Sequence, residues 1–462
     1  MDKLWKQKVL LNIIGISILV ISYFLPAPSG LSWSGKMMLG VLVFAGYMWL
    51  VKPIPIAATA LLVIILPVIF GIVTRQKGFS YFGNNAVFFL LGAFILTAAI
   101  EKHNIHKRIS IFVLSQMGDR PVFFTLGIFL LSAFSSFIMP EHAVAALMLP
   151  VVLSVLAVVK AIPKKSNFAK VSLLSVAFGC SIGSLGTLVG GARNPYTLAF
   201  LAETSNIHIS FFDWIFYSMP VVILSIPVIW FVLIKIFPIE VKSLKKTHLL
   251  LQREVKELGP MKSREITTIF ITVLTILGWV FLHFQLGPPV VAILGGLLLF
   301  FLRLIKWDDV EKRVPWGIIL LYGGAITLGV NLYNTGAADW IALKALGLTG
   351  NNPFLVLIML VIITILLTNF MSNTAAVAML LPIGLGMAEA SGLDVIVTSM
   401  IIALSGGLAF MLVIATPGNA ITYSTGYYST RDLMKSGSIV TVLCAIILLV
   451  IALTYWKLIG LW

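Results

Sequence analysis

A proline, a glutamate and a histidine interrupt an apolar stretch of the chain, in the segment SSFIMPEHAVAALMLP that begins at Ser135. Ionisable side chains within apolar segments of this kind are costly to bury, and they mark binding sites or paths for ions and protons. Glu141 and His142 can both titrate, and a protonated histidine can also face an anion. We therefore take Glu141, His142 and the adjacent Ala143 as candidate site residues.

A single arginine lies within another apolar stretch. Arg193 follows SLLSVAFGCSIGSLGTLVGGA and precedes NPYTLAFLA, so it is too far from either end of the run to reach water easily. Two roles are open for it. Its guanidinium could bind a carboxylate of the substrate in a forked geometry, or it could form an ion pair with Glu141 that holds the fold. Asn194, which follows it, is a further candidate.

The second half of the chain carries two polar interruptions. The segment SNT precedes an apolar helix pattern, AAVAMLLP, and residues of these types cap helix N-termini, where free N–H groups and the helix dipole attract anions. The segment TPGN interrupts another apolar run, and a helix broken there leaves backbone groups that can bind ions. The candidate residues in these segments are Ser372, Asn373, Thr374, Thr416, Pro417 and Asn419.

These interruptions belong to an internal repeat. The segment IMPEHAVAALMLPVVL resembles FMSNTAAVAMLLPIGL, and aligning Pro150 with Pro382 places PEH opposite SNT. Upstream, Gly92 aligns with Gly323, and downstream the segment GGARNP aligns with ATPGN. The charge pattern places the two copies in opposite orientations. Inverted repeats of this kind are typical of secondary transporters that bind substrate near the membrane midplane.

Composition requires a membrane. The chain has 462 residues, of which 60% are hydrophobic and 11% charged, with a mean hydropathy of +1.06, which excludes a soluble domain. We interpret the first apolar run as a span, since no signal-peptide cleavage site follows it. The net charge of +15 does not indicate nucleic acid, because most of the 32 Lys and Arg residues fall on one side of the predicted spans. The exceptions are Lys36, Arg75, Lys77, Arg193, Lys344 and Lys457.

This asymmetry places the basic loops and the N-terminus in the cytoplasm and the C-terminus outside, in the inner or plasma membrane. We expect an all-α polytopic fold of about eleven spans plus two re-entrant hairpins, because two segments are too long for one span and carry a polar tip. The predicted divisions are N-terminal spans (1–83), a first repeat (84–240) with a hairpin at about 121–158 and a broken helix at about 169–203, a cytoplasmic linker (241–265), and a second repeat (266–462) with a hairpin at about 353–390 and a broken helix at about 397–424.

The SNT tip, the segment AFMLVIATPGNAI and the helix LLYGGAITLG resemble the divalent anion/sodium symporter (DASS) family over nearly the whole chain. The resemblance implies transport of di- and tricarboxylates such as succinate, malate, fumarate, 2-oxoglutarate or citrate, or of sulfate, with no cofactor and no enzymatic activity. It also implies a homodimer in the bilayer, in which a transport domain moves against a scaffold like an elevator. In a typical sodium-coupled member of this family both tips read SNT, both breaks contain a Thr-Pro-Pro-Asn-like run, and sodium binds beside each tip.

The first half departs from that pattern. Pro140 offers no hydroxyl to sodium, and Arg193 repels a nearby cation, so we expect the first sodium site to be absent. Arg193 and a protonated His142 would supply the positive charge instead. The sequence therefore predicts a sodium-independent dicarboxylate exchanger.

Four alternatives stay open. The first is a symporter that keeps one sodium site near Ser372 and Asn373, and the second is proton coupling through Glu141 and His142. A membrane enzyme is disfavoured because HExxH does not occur and because enzymes rarely need an inverted repeat. A channel would not need two re-entrant tips.

Overall fold

The computed structural model describes residues 2–282, 285–347 and 352–461. All regular elements of these residues are helical, so the expected all-α fold is confirmed. The α-helices are α1 (Asp2–Phe24), α2 (Trp33–Val51), α3 (Ile56–Ile69), α4 (Arg75–Ser80), α5 (Asn85–Lys102), α6 (Ile105–Gln116), α7 (Pro121–Ser135), α8 (Glu141–Val158), α9 (Asn167–Gly183), α10 (Arg193–Ser205), α11 (Phe211–Ile236), α12 (Lys245–Leu258), α13 (Ser263–Phe281), α14 (Gly287–Phe301), α15 (Trp307–Arg313), α16 (Trp316–Asn334), α17 (Ala337–Leu346), α18 (Pro353–Phe370), α19 (Asn373–Ser391), α20 (Val395–Ser405), α21 (Pro417–Tyr423), α22 (Thr430–Leu453) and α23 (Tyr455–Leu458). A 3-10 turn, Tyr81–Gly83, precedes α5.

Ten helices of the described residues are long and apolar enough to cross a membrane. Three of them, α8, α18 and α19, are arms of helical hairpins, while α3 and α14 are shorter apolar helices. Two further crossings are interrupted: α9 is followed by α10, and α20 by α21, each after an irregular segment. When the interrupted and shorter helices are counted and the hairpin arms are set aside, the described part of the chain has about eleven crossings, in agreement with the sequence prediction.

The two hairpins are built alike. In the first, α7 and α8 are separated by residues 136–140, and in the second, α18 and α19 are separated by residues 371–372. Pro150 and Pro382 lie inside α8 and α19, at the positions that the repeat alignment pairs. Each hairpin packs on the broken helix of its own repeat, α7 and α8 on α9, and α18 and α19 on α20. The helix pattern is thus duplicated around the tips and breaks.

Packing separates two groups of helices. The hairpins and broken helices pack on one another and on α11 and α22, whereas α1 packs on α2, α3 on α16, and α5 on α14. The groups meet where α19 packs on α2, α16 and α17 and where α10 packs on α5 and α16. The first group, which we call the tip-and-break group, holds both hairpin tips and both helix breaks and therefore positions the candidate site.

The predicted linker (241–265) is not an irregular loop, because the helix α12 occupies most of it. Leu251 is buried, and Val255 and Leu258, four and seven residues later, are half-buried. This spacing gives the helix one apolar face, and it packs on α6 and α8.

Candidate substrate site

A cavity of about 650 Å³ lies between the two hairpin tips and the two helix breaks. From the first repeat it is lined by Glu141, His142 and Arg193. From the second repeat it is lined by Ser372, Asn373, Thr374, Thr416 and Pro417. The other three sequence-predicted residues, Ala143, Asn194 and Asn419, are buried behind this surface. The structure thus brings the sequence-predicted residues together at one cavity. That they contact a substrate stays a prediction.

The cavity is bounded on one side by the end of α2 and the start of α16, where Lys52 and Pro315 line it. In the predicted topology this is the side of the basic linker. The surface is mixed: Phe94, Ile318 and Leu321 add apolar contacts opposite the polar tips. Such a pocket, apolar with a few convergent polar groups, suits a small organic anion.

The two tips cap their helices differently. Ser372 is the N-cap of α19, and its Oγ accepts a hydrogen bond from the Ala375 N–H at 3.3 Å. Pro140 stands at the same place before α8 and makes no side-chain cap. Glu141 is the first residue of α8, and its buried Oε2 has no hydrogen-bond partner among the described residues. Since a carboxylate at a helix N-terminus offsets the dipole, the first tip carries its own negative charge, while the second leaves its N-terminus free for an anion.

Three oxygen atoms converge beside the second tip. The Thr368 Oγ1 lies 2.8 Å from the Asn373 Oδ1 and 2.6 Å from the Gly406 carbonyl oxygen. One hydroxyl proton cannot fully serve both acceptors, so the cluster is rich in oxygen and poor in protons. Sodium prefers oxygen ligands of this kind, as other hard cations do. The repeat alignment places Ser136 opposite Thr368, and the Ser136 Oγ is buried without a partner among the described residues.

Arg193 is buried, with 1% of its surface exposed. Its Nε donates to the carbonyl oxygen of Ala403 at 3.1 Å, and its Nη2 donates to the Ser184 Oγ at 3.0 Å. It forms no ion pair with Glu141, because none of the ion pairs between described residues includes either side chain. The alternative role that the sequence left open, an Arg193–Glu141 ion pair holding the fold, is therefore not what the structure shows. The guanidinium is held instead by the Ala403 carbonyl oxygen of the second repeat and by the Ser184 Oγ of the first.

The two breaks are held by equivalent asparagines. Asn194 and Asn419 each donate Nδ2 to the carbonyl oxygens of the residues ten and seven positions earlier. The acceptors are Ser184 (2.8 Å) and Thr187 (2.7 Å) for Asn194, and Ala409 (3.1 Å) and Leu412 (2.9 Å) for Asn419. These bonds satisfy carbonyl groups that the broken helices leave free. In both residues the Oδ1 is buried without a partner among the described residues.

Sequence reasoning missed four neighbours of the site: Thr368, Ser184, Ala403 and Lys52. Extending the repeat alignment four residues before SNT would have found Thr368 and its counterpart Ser136. Ala403 acts through its backbone carbonyl, which leaves no signal in the residue type.

Comparisons with known proteins cover most of the chain. The family profile described as sodium:sulfate symporter transmembrane region matches residues 4–462. The chain is 27% identical over 470 residues to a protein of Staphylococcus saprophyticus named sodium-dependent dicarboxylate transporter SdcS, covering 95% of this chain and 89% of the relative. A protein of the same name from Staphylococcus aureus strain USA300 is 29% identical over 465 residues, with the same coverage of both chains.

Two solved structures share the fold. Neisseria gonorrhoeae MtrF, described as illuminating a class of antimetabolite efflux pumps, superposes with a TM-score of 0.60 at 14% identity, covering 96% of this chain and 94% of that one. The Alcanivorax borkumensis YdaH transporter, described as having an unusual topology, superposes with a TM-score of 0.54 at 11% identity, covering 83% and 86%. At these identities the likeness concerns the fold alone.

Proposed function

The chain belongs to the sodium:sulfate symporter family, and from that premise we propose that it exchanges dicarboxylates across the membrane without sodium. The names of the relatives supply the substrate class, dicarboxylates, and within that class we propose succinate, malate, fumarate and 2-oxoglutarate. The cavity between the tips supports it, since a free helix N-terminus at the SNT tip and a buried arginine can each face a carboxylate.

The buried guanidinium of Arg193 is the observation that supports exchange as the mode of transport. A dianion that crosses the membrane needs positive charge around it, and here a guanidinium is fixed in the protein, bonded to Ser184 and Ala403. Such a charge stays in the site when the substrate leaves. An empty carrier would then move an uncompensated charge through the bilayer, which is costly. The loaded carrier returns more easily, and this favours exchange over one-way transport.

In the proposed cycle the tip-and-break group moves as a transport domain against the remaining helices, in the manner of an elevator, within a homodimer. The N-terminus is cytoplasmic and the C-terminus is outside in this proposal. The cavity then opens toward the cytoplasm, on the side of Lys52 and Pro315. Asn373, Thr374 and Thr416 bind carboxylate oxygens through side-chain and backbone donors.

Counterflow in proteoliposomes tests the proposal. Labelled succinate should enter vesicles loaded with unlabelled dicarboxylate, with or without sodium, and should enter empty vesicles slowly. A panel of four- and five-carbon dicarboxylates, with citrate and sulfate, defines the substrate. Strong sodium-dependent uptake into empty vesicles would refute exchange, and uptake driven by a pH gradient alone would indicate proton coupling through Glu141 and His142.

The oxygen cluster at Thr368 favours one alternative, a symporter with a single sodium site at the second tip. Under that alternative, wild-type uptake rises with sodium and Thr368→Val raises the sodium concentration for half-maximal rate. Under the exchange proposal, Thr368→Val leaves counterflow independent of sodium. Thr364→Val is the matched control, because the Thr364 hydroxyl donates only to its own helix, to the Leu360 carbonyl oxygen.

A further inference from the structure

Lys52 stands at the mouth of the cavity in an unusual backbone conformation. It follows the last residue of α2 with φ 54° and ψ 47°, in the left-handed region, and its N–H donates to the Met48 carbonyl oxygen at 3.0 Å. Left-handed backbone is uncommon for residues other than glycine, asparagine and aspartate. The next residue is Pro53, and a residue before proline is normally driven to extended conformations. Among the described residues, Lys160, Lys164 and Arg303 share this conformation, so it is the position of Lys52 at the cavity that distinguishes it.

The side chain of Lys52 is exposed and lines the same cavity as Arg193 and the two tips. It takes part in none of the ion pairs between described residues. Lys36, at the other end of α2, differs, because its Nζ donates to the carbonyl oxygens of Tyr23 (3.1 Å) and Leu25 (2.8 Å). Lys36 ties two helices together, whereas the ammonium of Lys52 is available to a ligand.

The charges around the cavity indicate what the ammonium group of Lys52 can do. Arg193 has two of its nitrogens committed to protein oxygens, and Glu141 contributes a carboxylate with an unpartnered oxygen. Arg193 brings one positive charge against the two negative charges of a dianion, so the ammonium of Lys52 adds attraction for a dianion that enters from this side. The helix that carries Lys52 lies outside the tip-and-break group, to which Arg193 and Glu141 both belong.

We propose that Lys52 is a further substrate-binding residue, an ammonium that attracts the dicarboxylate dianion only while the cavity is open to its side. The inference rests on the proposed transport of dicarboxylates and adds an asymmetry to it. Once the tips have moved to the opposite face, Lys52 is left behind, and the substrate meets only the charges of the two repeats. Affinity at the two faces should therefore respond differently to changes at this residue.

The test uses three variants and both faces of the membrane. Lys52→Asn removes the charge with a residue that tolerates left-handed backbone, and Lys52→Arg keeps the charge. Lys160→Asn is the matched control, since Lys160 is also exposed, has φ 52°, follows a helix that returns to the same side in the predicted topology, and does not line the cavity. Succinate exchange is measured in intact cells, which present the outer face, and in inverted membrane vesicles, which present the cytoplasmic face.

Lys52→Asn should raise KM about fivefold in inverted vesicles at low ionic strength, with kcat unchanged, and should leave KM in intact cells unaltered. The difference should close near 1 M of a choline salt, where the screening length is about 3 Å. Lys52→Arg and Lys160→Asn should behave as wild type. Thermal unfolding of Lys52→Asn should occur no lower than in wild type, which separates the loss of charge from damage to the fold.

An unchanged KM for Lys52→Asn at the cytoplasmic face, an equal defect at both faces, or an equal defect in Lys52→Arg would overturn the role of Lys52 while leaving dicarboxylate transport in place. Absence of succinate exchange in the wild-type protein at either face would overturn the proposed function and this inference with it.

Discussion

The Nε of Arg193 donates to the carbonyl oxygen of Ala403 across 3.1 Å, and this bond joins the start of α10 in the first repeat to the end of α20 in the second. The Nη2 of the same guanidinium donates back to Ser184 in the first break. One side chain therefore spans the boundary between the repeats, beside the cavity. The position of its positive charge is set by a backbone carbonyl group and a hydroxyl group that flank the two breaks.

Replacing Arg193 should lower the rate of transport, and two variants separate the effect of its charge from that of its hydrogen-bond geometry. Arg193→Gln removes the charge, and Arg193→Lys keeps it but cannot donate in a fork to both Ala403 and Ser184. We expect succinate counterflow to fall at least tenfold in both variants, and thermal stability in detergent to fall because buried acceptors lose their donor. Counterflow close to wild type in Arg193→Gln would show that the guanidinium does not compensate the substrate charge.

Substitution of Gly407 offers an independent way to displace the guanidinium of Arg193. A Cβ at Gly407 would clash with the Arg193 Nη2 and with the Leu185 Cδ2, whereas a Cβ at Gly317, which lines the cavity, would meet only the Ala57 Cβ at 3.7 Å. Gly407→Ala should therefore displace the guanidinium and lower the rate of counterflow several-fold, while Gly317→Ala should leave it unchanged. Equal rates in the two alanine variants would contradict the role given to Arg193.

The sequence could predict the parts of the site that the repeat makes visible. Aligning PEH with SNT identified both tips, and proline and glycine in apolar runs located both breaks. The partners of Arg193 could not be predicted, because Ala403 contributes a carbonyl group that any residue has. The choice between Glu141 and Ala403 as the partner depends on how α10 and α20 approach each other, which is a matter of packing. Lys52 was missed for a similar reason. A lysine after a predicted span is common, and only the structure shows that this one lines the cavity.

The matched hydrogen bonds of Asn194 and Asn419 predict matched losses of stability. Alanine at either position leaves two buried carbonyl oxygens without donors, and each unsatisfied group costs about 1–3 kcal/mol. Asn194→Ala and Asn419→Ala should therefore lower the thermal unfolding temperature in detergent by similar amounts. Asn167→Ala is the control, because the Asn167 Nδ2 donates to only one carbonyl oxygen, that of Pro238, at an exposed position. A large loss in one of the two break variants alone would show that the breaks are not equivalent.

Replacing Asp339 on α17 by asparagine should stabilise the protein by an amount that depends on pH. Burial, and then the nearby charge of Glu389, raise the pKa of Asp339 above its usual range. An acid with a raised pKa in the folded state binds more protons when folded, so its ionisation destabilises the protein as pH rises from about 3.9, the usual value for the unfolded chain, through the raised value. Asp339→Asn cannot ionise and should unfold at a higher temperature than wild type at pH 8, with the gain shrinking as pH falls through this window.

The gain from Asp339→Asn should also be smaller when Glu389→Gln is already present, since the second cause of the raised pKa is then removed. Glutamine keeps an oxygen that can accept the hydrogen bond that Tyr333 OH donates to the Glu389 Oε1 at 2.9 Å, so the packing of α16 on α19 is retained. Unfolding temperatures of the wild type, both single variants and the double variant, measured from pH 4 to pH 8, test the coupling. A lower unfolding temperature for Asp339→Asn at pH 8 would contradict the interpretation of Asp339 as a half-buried carboxylate that is costly to ionise.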